Sequence, residues 1–134
     1  MDVVEWLEQV GKLDELINGK MQEREKLIAL ATKCTANMDG MPHGSGISDP
    51  VGTIGDKLVE LSRETDAVID RYIEQRQKVI TALEQLPAKE YGALHRHYIL
   101  FMSWEDTALD MGKSTTQVYR YRDSGIARLS KIVG

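Results

Sequence analysis

The stretch SWEDTALDMGKSTTQVYRYR, residues 103–122, decides how this chain reads. Ser103 can accept the amide hydrogen of Asp106 while Asp106 reaches back to the Ser103 amide, a short-armed capping box that starts a helix. Gly112 stops that helix, because glycine takes up the left-handed conformation a sharp turn needs. Two residues later Ser114 opens a second helix, and Gln117, three positions on, completes a second box. Ala108, four residues before the glycine, is small enough for two helices to cross. Val118, six after it, packs back on the first helix. The spacing predicts helix, tight turn, helix.

Working outward, AKEYGALHRHYIL (88–100) predicts one more helix in front of the pair, with Tyr91, Leu94, Tyr98 and Phe101 near one face. Gly125 falls inside the last helix and reads as an interruption. Upstream, Val3, Trp6, Val10, Leu13 and Ile17 keep to one helical stripe that resumes at Leu27, Ala31 and Cys34, with a bend or break allowed near Gly19. Asp49-Pro50 predicts the start of a second long helix. From Ile54 to Leu86 its apolar positions hold four-three spacing, with Thr65 and Gln75 as polar interruptions, and Pro87 ends it. Ile69, Ile73, Ile80 and Leu83 widen that stripe, so the helix needs more than one neighbour.

The expected fold class is therefore all-α: a long antiparallel helical hairpin, coiled-coil-like, followed by a C-terminal three-helix helix-turn-helix lobe. The expected domains are residues 1–87, with a connector loop at 35–51, and residues 88–134. The wide stripe of the hairpin predicts a homodimer or higher oligomer.

Composition fits this reading. The chain has 134 residues, 42% hydrophobic and 28% charged, with three Pro and one Phe, a mix that favours helices over strands. No apolar run is long enough for a membrane span. The acidic N-terminus is unlike a signal peptide, and a lone cysteine, Cys34, forms no internal disulfide, so a cytoplasmic location is expected. His43 and Cys34 are too few and too far apart for a metal centre, and His95 and His97 point in different directions on a helix. No nucleophile–base–acid set or phosphate-binding glycine loop occurs. No enzyme activity, catalytic residue, metal or cofactor is expected.

The net charge of −4 conceals an asymmetry. Residues 1–87 carry 10 basic and 16 acidic side chains; residues 112–134 carry five basic ones against Asp123 alone. A small basic surface on an acidic body suits a phosphate-rich partner. In a helix-turn-helix the second helix enters the major groove of double-stranded DNA. Ser114 and the first-turn amides then suit phosphate. Thr115 lies on the same exposed side, and Thr116, Gln117, Tyr119 and Arg120 suit base edges. Lys113, Arg122, Arg128 and Lys131 suit the sugar-phosphate backbone.

The segment HRHYILFMSWEDTALDMGKSTTQVYRYRDSGIARL (95–129) resembles the region-4 helix-turn-helix of sigma factors, and more closely the small phage and prophage regulators of the ArpU/RinA kind. The connector MDGMPHGSGISDPVG (38–52), with a long helix on each side, is similar to a family of uncharacterised phage proteins with that C-terminal domain. The resemblance implies a sequence-specific transcriptional regulator of phage or prophage genes in a Gram-positive bacterium, with RNA polymerase as a candidate partner. Lys113 and Thr107 stand where the pattern usually has apolar residues. The competing expectation is a protein–protein assembly module that works through its hairpin and carries a degenerate helix-turn-helix.

Overall fold

The computed structural model describes residues 2–38 and 50–134. Among them every regular element is helical, with no strand. α1 (Val3–Met38) and α2 (Pro50–Leu83) are long; α3 (Ala88–Leu94) runs into a π-helical turn (His95–Ile99); α4 (Trp104–Met111) and α5 (Thr115–Val133) follow. α1 is continuous through Gly19 and extends to Met38, so the first residues of the expected connector are helical. The rest of the connector, with His43 and the Asp49 cap, lies outside the described residues.

The chain forms two compact units, residues 1–14 with 71–134, and residues 15–70. This division runs through α1 and α2, whereas the sequence suggests one at Pro87. The reason is the core of the first unit. Val3, Leu7 and Val10 of α1 join Val79, Ala82 and Leu83 of α2, Leu94 and Tyr98 from the third helical segment, and Leu129 of α5 in one buried cluster. Leu7, which the expected stripe passes over, is fully buried, while Trp6 packs at the edge. Gln75 Nε2 donates to the Trp6 carbonyl at 3.2 Å, which accounts for one polar interruption of the α2 stripe.

In the second unit Lys20 Nζ lies 3.2 Å from Glu64 Oε2, linking α1 to α2. Thr65, the other polar interruption, is buried and satisfies its hydroxyl on the Leu61 carbonyl one turn back, at 2.7 Å. Leu61, Thr65 and Val68 are the buried residues described in this unit.

α2 ends at Leu83, four residues before the proline. The chain tightens there through i→i+3 bonds, Gln85 N to Ala82 O and Leu86 N to Leu83 O, since proline disfavours helix in the residue before it. Pro87 caps α3 instead, and Tyr91 N donates to its carbonyl at 2.9 Å.

The helix expected over 88–100 is α-helical only to Leu94. Leu100 N then bonds His95 O, five residues back, and Met102 N bonds Arg96 O. This wider turn shifts Phe101 off the face shared by Leu94 and Tyr98. Phe101 is exposed with φ 59, a strained conformation for an aromatic residue. The His97 ring helps to hold it, with Nδ1 donating to the Met102 carbonyl at 2.7 Å.

Candidate nucleic-acid interface

Local chemistry sets the α4–α5 corner. Ser103 Oγ accepts from Asp106 N at 3.0 Å and Ser114 Oγ from Gln117 N at 3.2 Å, so both serines cap. Gly112 has φ 67 and ψ 35. Its amide reaches Leu109 O at 3.2 Å and the Lys113 amide reaches Ala108 O at 2.9 Å. This pair of bonds is the Schellman closure, which satisfies carbonyls that the end of a helix leaves open.

The corner is held from below. Val118 is fully buried against Ala93 and Ala108, with Trp104, Met111 and Tyr121 at the rim. Gly125 is no interruption: a Cβ there would stand 2.8 Å from Leu94 Cδ1 and 3.4 Å from Glu90 Cβ, so the residue is where α3 crosses α5. Thr107 is fully buried, and its Oγ1 has no hydrogen-bond partner among the described residues.

The ten sequence-selected residues divide into two groups. Thr115, Thr116, Gln117 and Arg120 are exposed on the first turns of α5, and Lys131 is exposed near its end. Ser114 is exposed, its hydroxyl engaged in the cap, and Lys113 is half-buried in the turn. The cap takes the Gln117 amide, and the amides of Thr115 and Thr116 precede the first intrahelical bonds, so they face the positive end of the helix without an intrahelical acceptor.

Tyr119, Arg122 and Arg128 are turned to contacts within the chain. The Arg122 guanidinium lies 4.7 Å from the Tyr119 ring centre and 5.6 Å from that of Trp104, and its Nε meets Asp123 Oδ1 at 2.9 Å. Arg128 Nε sits 3.1 Å from one carboxylate oxygen of buried Glu90 and 3.2 Å from the other, bonding the latter. Among the described residues, Lys113, Arg120 and Lys131 are the basic side chains from 112 on with no ion pair.

Sequence spacing only set His97 apart from His95, and it gave neither His97 nor Trp104 a place in a ring cluster. Their rings stack at 3.8 Å, with Trp104 also edge-on to Tyr98 and Tyr119. Burial pushes the His97 imidazole below its ordinary pKa, and Arg122 acts the same way, against the Met102 carbonyl and Glu8. Only the aromatic content near 97–104 hinted at this cluster, because ring stacking depends on the π-helical turn. Arg96 forms a 2.6 Å ion pair with Asp110 that ties the turn to α4.

The surface can therefore offer a helix N-terminus, hydroxyls, an amide and a guanidinium to an anionic, hydrogen-bonding partner. Among the described residues no group of His, Cys, Asp and Glu is placed to hold a metal ion, and no helix is long and apolar enough to cross a membrane. No family model, curated protein or solved structure matches this chain.

Proposed function

We propose that the protein is a sequence-specific double-stranded DNA-binding regulator of transcription, with α4 and α5 as a helix-turn-helix and α5 as the reading helix. On this reading α3, α4 and α5 form the DNA-binding lobe, and the α1 and α2 segments pair antiparallel as its helical support. The observation that carries the proposal is the exposed row of Thr115, Thr116, Gln117 and Arg120 on the opening turns of α5. It stands beside a glycine corner and a buried Val118 that fix its direction. Arginine suits guanine O6 and N7, and glutamine suits adenine. The resemblance to phage and prophage regulators supports control of phage genes, with RNA polymerase as partner.

The test is fluorescence anisotropy of the full chain on DNA fragments from upstream of its own and neighbouring genes. Arg120→Ala should cost about 1–3 kcal/mol on the preferred sequence and little on unrelated DNA. Equal loss on all sequences, or none, would remove α5 as the reading helix. A second reading, an assembly module, is favoured by the apolar side chains exposed on residues 15–70, among them Met21 and Val59.

A further inference from the structure

Residues 15–70 are short of buried apolar surface. Two helical segments meet there, yet Leu61, Thr65 and Val68 are the buried residues described, while Leu16, Met21, Ile28, Leu30 and Val59 are 39–60% exposed. Helices in water are stabilised chiefly by covering an apolar face against a neighbour. Here much of that face is uncovered.

The exposed groups are arranged, not scattered. Ile28 of α1 and Leu58 and Val59 of α2 line a groove of about 440 Å³, flanked by Arg24, Arg63 and Asp66. Met21 is seven residues before Ile28, two helical turns along the same side. Val59, Arg63 and Asp66 are spaced four and three, so they share one side of α2. Arg63 and Asp66 make no described ion pair, although they carry opposite charge one turn apart at the rim of an apolar surface. Along α2 the strip carries one charge of each sign, an edge complementary to its own copy run the other way, while Arg24 stands on the α1 side of the groove. In a two-fold arrangement with antiparallel helices, the arginine of one copy faces the aspartate of the other, and the same contact repeats across the axis.

We propose that this groove is the self-association surface of the protein, occupied by the same groove of a second copy, with Ile28 and Val59 at its centre and reciprocal Arg63–Asp66 pairs at its edge. The charge pattern selects a second copy over an unrelated apolar helix, and the proposal does not depend on the DNA reading. Other partners would show as outcomes of the test.

Sedimentation velocity of the full chain should give twice the 15.1 kDa mass at micromolar concentration. Arg63→Glu places acid against acid across the axis, and Asp66→Arg places base against base. Each single variant should shift to 15.1 kDa with helical circular dichroism retained. A mixture of the two single variants should recover the double mass, as should the chain carrying both exchanges. A native chain at 15.1 kDa, single variants that remain dimeric, or exchanges that fail to restore association would each overturn the proposal. The first of these would leave the groove to a different protein.

Discussion

Leu94 of α3 and Gly125 of α5 meet so closely that a Cβ on the glycine would stand 2.8 Å from the leucine Cδ1. Leu94 is fully buried within the core cluster, so moving its side chain aside disturbs the residues packed around it. The contact sets how near α3 and α5 lie, and with it the seat of the surface proposed to read DNA.

Gly125→Ala therefore pits two effects against each other. Alanine gains about 1 kcal/mol of helix propensity over glycine. Overpacking a filled core costs about 1–3 kcal/mol. With a second contact at 3.4 Å to Glu90 Cβ, the steric loss should win, and chemical denaturation should show a net loss of stability. A gain would mean that the crossing relaxes freely.

Arg128 and Lys131 are close in sequence but should behave differently. Glu90 is buried and Arg128 is its ion-pair partner. Removing the arginine leaves a carboxylate without its compensation, a loss of about 1–3 kcal/mol, discounted because Arg128 is itself more than half exposed. Arg128→Ala should lower the unfolding midpoint. Lys131→Ala should leave that midpoint within about 0.5 kcal/mol while weakening association with every DNA sequence alike. Thermal melts and salt-dependent binding on the same two variants separate the roles.

The histidines give a pH dependence with a definite sign. Burial pushes both His97 and His95 below the ordinary imidazole value of 6.5, helped at His95 by Arg76 and Arg96. The unfolded chain therefore binds protons at higher pH than the folded one, and stability rises with pH through this interval. Stability from these groups is full above 6.5 and is lost as pH falls from there to the depressed folded values. Midpoints measured down this window should fall, and His97→Gln should flatten the slope. An unchanged slope would mean that protonation is indifferent to the Trp104 stack.

Local signals were legible and long-range ones were not. Ser103, Gly112 and Ser114 could be read because a cap or a left-handed turn is chemistry between residues a few positions apart. Heptad spacing marked Leu61, Val68, Val79 and Ala82 as inward-facing for a similar reason. Gly125 was misread because its requirement comes from Leu94, far away in sequence. Arg128 looked like a surface cation until the structure put Glu90 beneath it. Trp104 and His97 meet because of a π-helical turn, and helical periodicity has no mark for one extra residue in a turn. Leu7 escaped because its place in the core is fixed by helices remote in the chain.

The shared cluster of Val3, Leu7 and Leu129 bears on how the chain is made. During synthesis this cluster stays incomplete until residue 129 has left the ribosome, although its α2 and α3 members emerge earlier. Fragments beginning at residue 88 would lack the α1 and α2 side chains that complete the hydrophobic interior. A bulky fusion placed before Val3 would weigh on the same interior as a change in α5. Expression designs that keep residues 1–14 together with 71–134 respect this closure.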